Sequence, residues 1–376
     1  MNIVWFLDKE FDVSMSTSGR LSTITQLEKN HDVTIVTTFK KEKKAILEIK
    51  SKLAYLNKIN LPLVKTLSLY HQHLKYLNNN INLGEYDTVF VNSNNYFLLR
   101  KLIEKTNSYN LKLIFDIRTL PVDSNPIKKG IKEFFFKKAL KIAASDFDGI
   151  TYITEEMRRY CARKYNLPKH KSTVWSSGVD IELFRPLNKF SNGSNFRIMY
   201  HGAISKKRGI INVVRAINEL REYDIEFFLL CFEEETFELK RLVEKLRLED
   251  KVHFLGAVSF SEVPEYINEV DAGIVPLPNW PGWNTSSPMK LFEYLACGKP
   301  VIVTRIPAHI NVLDRSNFTF WAEDSTPKNL AFSILEAFKN KKHFQDLGKE
   351  ARNFVEINFS WEKQTSKLQR FLEEIN

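Results

Sequence analysis

The stretch "NTSSPMKLFEYLACGKPVIVT" (284–304) opens polar, turns amphipathic and stops at Gly-Lys-Pro, with one carboxylate, Glu293, inside it. Ser286 or Ser287 can cap a helix here, and Pro288 suits the first helical position, where its missing N–H costs nothing. Gly298 and Pro300 supply the stop, and Val301-Ile302-Val303 reads as a short buried strand. A capped helix start presents free N–H groups and a partial positive charge, which suits a phosphate. A carboxylate just past a phosphate site is placed to accept hydrogen bonds from ribose hydroxyls. An ordinary αβ unit with good caps would read the same way.

Three other loops carry comparable chemistry. In "YHGAISKKRGIINVVRAI" (200–217), Gly202 begins a turn, and Lys206, Lys207 and Arg208 crowd positive charge before a helix. Cations there oppose the helix dipole, a penalty that a bound diphosphate would reverse; the alternative is a solvated basic turn. After the first apolar run comes Ser18-Gly19-Arg20, where Gly19 would admit a ligand close to the backbone and Arg20 adds a charge. Glycine at such a turn is also common without a ligand. Asp116 and Arg118 sit in "FDIRTLPVDSNP" (115–126) where a strand ends, and could equally be a salt bridge.

All four loops follow predicted strands. In the first half these cover 2–7, 32–38, 88–92, 112–117, 149–154 and 172–175; in the second, 196–202, 225–231, 252–256, 272–277, 300–304 and 318–321. Most are continuous apolar runs, as in parallel strands buried on both faces, and helical stretches separate nearly all of them. Each half therefore reads as a doubly wound α/β sheet, whose ligands sit at the carboxyl ends of the strands. The segment 183–195, rich in Pro, Gly, Asn and Ser, is the linker candidate. This predicts an N-terminal domain over 1–183 and a C-terminal domain over 184–359.

The chain has 376 residues, enough for two cores, and its 43% hydrophobic and 27% charged content fits a folded protein. No apolar run approaches the roughly 18–20 residues that span a bilayer. The N-terminal run is too short for a signal peptide. Three isolated cysteines without a CxxC pair point to a reducing compartment, so a cytoplasmic location is expected. The net charge of +10 lies wholly in residues 1–183, with 29 Lys+Arg against 19 Asp+Glu; residues 184–376 hold 26 of each. An anionic partner of the first half would account for that asymmetry.

These motifs together resemble family 4 of the glycosyltransferases, which have the GT-B fold of two Rossmann-like domains facing across a cleft and use nucleotide sugars. "SSGVDIELFRP" (176–186) resembles the family's NGVD-x3-F-x-P signature, with Ser177 in place of Asn. "YHGAISKKRGIINVVRAI" is similar to its GR-x4-KG element, so that Arg208-Gly209 fall on the Lys-Gly. "SSPMKLFEYLACGKPVI" is similar to the donor-binding helix, and "FSWEKQTSKLQRFLEEI" resembles the C-terminal helix, here 360–376, that crosses back to the first domain. The resemblance implies that Glu293 holds the donor ribose and Arg208 neutralises the diphosphate. It further implies that Met289, Lys290 and Leu291 bring backbone amides to the phosphates and that Val258 meets the base. Three positions depart from the family: Thr285 stands where the first glutamate of the E-x7-E pair falls, Ala203 where an Arg usually follows the Gly, and Arg118 near the place of a first-domain histidine.

The expected activity is retaining transfer of a sugar from a nucleoside diphosphate sugar, preferably UDP-linked, to a saccharide or polyprenyl-linked acceptor, in bacterial surface polysaccharide biosynthesis. Arg208, Lys207 and the helix start at 286–289 would stabilise the diphosphate leaving group, such donors being worth roughly 3–4 kcal/mol each. Asp116 and Arg118 are the candidates on the first domain. Without an Asp-x-Asp motif no metal is expected, nor a cofactor. The lysines of 40–58 and 127–144 suggest a peripheral site at the inner face of an anionic membrane, although those of 127–144 lie on several sides of a helical wheel. A solvated helix that buries its Phe residues is the alternative there; no nucleic-acid partner is expected. Two other classes fit the pattern: a lapsed GT-B-like module binding nucleic acid or glycan, and a GT-B nucleotide-sugar epimerase, which would need no acceptor.

Overall fold

The computed structural model describes residues 1–10, 18–38, 50–56, 65–92, 94–106, 108–121, 125–187, 195–232 and 236–375, with backbone alone for 8–10, 18–20, 65–66 and 206. The chain divides into two units, Met1–Ser176 with Gln364–Asn376, and Ser177–Lys363.

The first unit carries seven parallel strands: β1 (Asn2–Glu10), β2 (Asp32–Thr38), β3 (Lys52–Tyr55), β4 (Thr88–Asn92), β5 (Lys112–Ile117), β6 (Gly149–Tyr152) and β7 (Ser172–Val174). Their order in the sheet is β3-β2-β1-β4-β5-β6-β7. Alternate residues of the central strands feed two cores. Val4 and Phe6 join Val89, Val91 and Phe115 on one face. Ile3, Trp5 and Leu7 meet Ile35, Phe90, Leu368, Phe371 and Leu372 on the other. Burial on both faces is why these strands read as unbroken apolar runs. The helix Trp361–Ile375 closes the second face, and Gly149 lets it approach, since a Cβ there would lie 2.6 Å from the Phe371 ring.

The second unit holds six parallel strands: β8 (Phe196–His201), β9 (Ile225–Leu230), β10 (Val252–Gly256), β11 (Ala272–Val275), β12 (Val301–Thr304) and β13 (Thr319–Ala322). The order β10-β9-β8-β11-β12-β13 reverses direction between β8 and β11. A crevice opens at such a reversal, at the carboxyl ends of the two strands, and ligands of doubly wound sheets bind there. The corresponding reversal in the first sheet lies between β1 and β4, and the loop after β1 falls outside the described residues.

One expectation needs correction. Lys52–Tyr55, inside the segment read only as charged, forms the edge strand β3 beside β2; an edge strand tolerates lysine because one side lacks a partner strand. The second compact unit begins at Ser177, and the turn that follows is bound within it. Arg352 donates to the carbonyls of Ile181 (2.9 Å) and Phe184 (2.6 Å), and a Cβ on Gly178 would lie 2.8 Å from the Trp361 backbone.

Candidate functional site

Apart from Val258, the residues singled out in the second unit gather where β8 and β11 end. Gly202 follows β8 with φ +95°, and its N–H donates to Leu230 O. Only glycine takes that conformation without strain, and a Cβ would lie 2.9 Å from Lys290 Nζ. The chain then forms a one-turn helix, Lys206–Arg208, before Gly209 (φ +78°) opens the helix Ile210–Glu219. Gly209 is boxed in: a Cβ would lie 2.1 Å from Pro276 O and 2.4 Å from Ser325 Oγ. The basic turn is thus pinned against the loop after β11.

That loop carries two tryptophans on the short helix Pro281–Asn284 and its N-cap. Trp283 Nε1 donates to Lys207 O at 2.7 Å, the Arg208 guanidinium lies 4.7 Å from the Trp283 ring centre, and Lys207 Nζ lies 5.4 Å from that of Trp280. Thr285, which replaces a carboxylate expected from the resemblance, is buried, and its hydroxyl donates to Pro281 O.

The next helix runs Met289–Ala296, and here the expected capping is wrong. Pro288 occupies the N-cap rather than the first helical position, and no side chain caps the helix. Ser286 Oγ turns back to Trp283 O (2.8 Å), while Ser287 Oγ accepts the Ser177 N–H (3.3 Å). The serines are engaged by the preceding turn and by the start of the unit, so the helix start stays without a side-chain acceptor. The first N–H groups of any helix lack intrahelical partners, which leaves the amides of Met289 and Lys290 at a positive dipole end. Leu291 is anchored in the core. Lys290 is half-buried, its ammonium against Gly202 and 5.6 Å from the Tyr200 ring centre. Desolvation first, then the nearby Arg208 charge, push its pKa down to about 8, with Glu293 opposing. One turn further in, Glu293 is buried with its Oε2 3.1 Å from Nε2 of His201, the last residue of β8.

Val258 is half-buried on the loop after β10, the sheet's edge strand, two strands removed from β8. The remaining candidates belong to the first unit. Asp116 is buried at the end of β5, accepting from Thr151 Oγ1 (2.7 Å) and Asn92 Nδ2 (3.2 Å). Arg118 stacks 3.9 Å over Trp175 and donates to Trp175 O at 2.8 Å. Gly19 and Arg20 fall in the first turn of the helix Ser18–Leu27, and their side chains lie outside the described residues. Sequence reasoning missed His201, Trp280 and Trp283. Only the last two left a trace, as a W-P-G-W run just before the donor-type helix.

Two family models tile the chain. The Glycosyltransferase Family 4 model matches residues 22–183, and the Glycosyl transferases group 1 model matches residues 184–354. The chain belongs to glycosyltransferase family 4. A relative of this glycosyltransferase, an uncharacterised glycosyltransferase of Methanocaldococcus jannaschii, is 25% identical over 254 residues, covering 68% of this chain and 66% of the relative. The putative teichuronic acid biosynthesis glycosyltransferase TuaH of Bacillus subtilis is 28% identical over 167 residues, 43% of this chain and 41% of TuaH. The matches therefore span less than two thirds of these relatives' lengths. Anabaena HepE, solved in complex with UDP, superimposes over 100% of both chains with a TM-score of 0.77 at 14% identity. The fold of the family 4 chain is GT-B, with one Rossmann-like sheet in each unit.

Proposed function

We propose that this glycosyltransferase moves a sugar, with retention of configuration, from a UDP-sugar to a saccharide or polyprenyl-linked acceptor, as a step in surface polysaccharide biosynthesis. The observation that carries the donor half is the meeting of Lys290, Arg208 and an uncapped helix start around Gly202. Two cations that repel each other, one of them desolvated, are locally unfavourable, and an inserted diphosphate removes the penalty. Basic side chains then neutralise the leaving group without a metal or a further cofactor, and Glu293 takes the ribose. UDP is favoured as the nucleotide because HepE, with the same fold, is seen with it.

A separate observation supports a membrane-held acceptor. The helix Pro126–Asp146 buries Phe136 and half-buries Phe135, but Ile127, Ile131 and Phe134 in its first half are 74%, 53% and 52% exposed. Spaced at i, i+4 and i+7, they form one stripe, flanked by exposed Lys128, Lys129, Lys132, Lys137 and Lys138. An apolar stripe bordered by lysine suits an anionic bilayer surface, which contributes about 1 kcal/mol per nearby cation. Among the described residues no helix is long and apolar enough to cross a membrane.

Thermal shift against nucleotide sugars tests the donor half. At a hundredfold excess over Kd a ligand stabilises by about 2.7 kcal/mol. The family of UDP-sugars should raise the melting temperature more than ADP- or GDP-sugars. Release of UDP that requires an added acceptor separates transfer from epimerisation, and absence of any shift would return the chain to the lapsed-module reading.

A further inference from the structure

Tyr294 ties the end of β8 to the helix that carries Glu293. Its hydroxyl accepts the His201 N–H at 3.1 Å and donates to Met199 O at 3.0 Å. The ring stands edge-on to the imidazole, 5.0 Å between centres and 76° between planes. Gly273 on β11 makes room for that ring, since a Cβ there would lie 2.2 Å from it. This clamp sets His201 Nε2 at 3.1 Å from Glu293 Oε2, with the two side chains only 3% and 6% exposed. Neither His201 Nδ1 nor Nε2 makes a hydrogen bond of good geometry among the described residues, so the 3.1 Å approach of Nε2 to Oε2 is a close polar contact, and His201 is the one polar side chain that those residues pair with Glu293. Burial, reinforced by Lys290 and opposed by Glu293, lowers the His201 pKa, so the ring is neutral at pH 7. A neutral imidazole can occupy one carboxylate oxygen without cancelling its charge.

We propose that His201 is a positioning residue for the donor: it holds Oε2 of Glu293 and so leaves Oε1 to accept the ribose hydroxyls of a nucleoside diphosphate. The inference rests on Glu293 gripping the ribose, as proposed above. It explains why a histidine, costly to bury without a partner, stands buried at the end of β8.

Calorimetry at neutral pH with UDP and with 2′,3′-dideoxy-UDP isolates the ribose contact, because the two ligands differ only in the hydroxyls. The wild type should prefer UDP by about tenfold or more, the worth of hydrogen bonds to a charged group. Glu293→Ala should erase the preference. His201→Leu should reduce it several-fold while Glu293 remains, and His201→Gln, which keeps an N–H donor near Nε2, should restore it. Full preference in His201→Leu alongside its loss in Glu293→Ala would overturn the role of His201 and leave the ribose reading intact. Equal loss in His201→Leu and His201→Gln, with melting temperatures lowered alike, would make the histidine structural only and also overturn it. Preference retained in Glu293→Ala, or no UDP binding by the wild type, would remove the reading beneath it.

Discussion

Arg208 lies over the face of Trp283, 4.7 Å from the ring centre, while the indole N–H of the same tryptophan holds the carbonyl of the preceding residue, Lys207. One side chain thus fixes both the backbone and the charge of the basic turn. A cation–π contact of this kind is worth about 0.5–1 kcal/mol and the hydrogen bond about 1 kcal/mol. Trp283→Ala should therefore lower kcat/KM by roughly 10-fold. Trp283→Phe, which keeps a ring but loses the donor, should fall between. Steady-state kinetics on the three proteins decides it; an unchanged Trp283→Ala would show that the turn holds itself.

Arg208→Ala should depress kcat more than it raises the donor KM. Charge on the diphosphate grows as the glycosidic bond breaks, so a partner cation matters most in the transition state, by roughly 10²–10³-fold. A change confined to KM would assign leaving-group stabilisation to Lys290 or Lys207 instead.

Lys290 should make donor binding pH-dependent. Its pKa of about 8 means that it loses its charge on the free protein as pH rises through that value, and the diphosphate prefers the charged form. UDP affinity should then fall with a slope approaching one proton above about pH 8, and Lys290→Met should flatten the slope. The stability of the unliganded protein should move the other way. Between pH 8 and the unfolded lysine value of about 10.4, the unfolded chain binds more protons, so stability attributable to Lys290 rises with pH. Calorimetric titration with UDP across this range, and urea melts without it, would each expose a wrong sign.

Gly209→Ala should destabilise the second unit by about 2–3 kcal/mol or more, since a left-handed non-glycine residue costs about 1–3 kcal/mol before the clash with Pro276 O is counted. Gly130, where an added Cβ would meet nothing within 4 Å, is the control: Gly130→Ala, at an exposed position of the helix Pro126–Asp146, should be neutral or stabilising. Differential scanning calorimetry compares the two.

Sedimentation with anionic vesicles tests the lysine-flanked stripe. Lys128, Lys129 and Lys132 changed together to Glu should abolish salt-sensitive binding, screening at about 0.15 M acting over roughly 8 Å. Ile127, Ile131 and Phe134 changed to Ser should weaken whatever survives salt. Tight binding to nucleic acid at physiological salt without vesicle binding would reverse the membrane reading.

Sequence alone determined the elements. Continuous apolar runs marked nearly every strand because parallel strands buried on both faces leave that pattern, and alternation with helices implied two doubly wound sheets. It also marked Gly202, Arg208 and Glu293 as worth attention, through turn chemistry, misplaced charge and a helix start, whereas Lys290 entered only through the family resemblance. The edge strand Lys52–Tyr55 escaped because a half-exposed strand of four residues has no long apolar run. The capping of the Met289 helix was misjudged because Ser286 and Ser287 have nearer partners, and which partner a hydroxyl takes depends on distances set by the fold. His201 was invisible for the same reason. Nothing within β8 distinguishes it from a core residue; only the neighbouring strand order, which brings the helix after β11 beside the end of β8, puts a carboxylate 3.1 Å away. Local pattern decides what a segment can form, whereas the partners of a buried polar group are residues far along the chain, and those are chosen by tertiary packing.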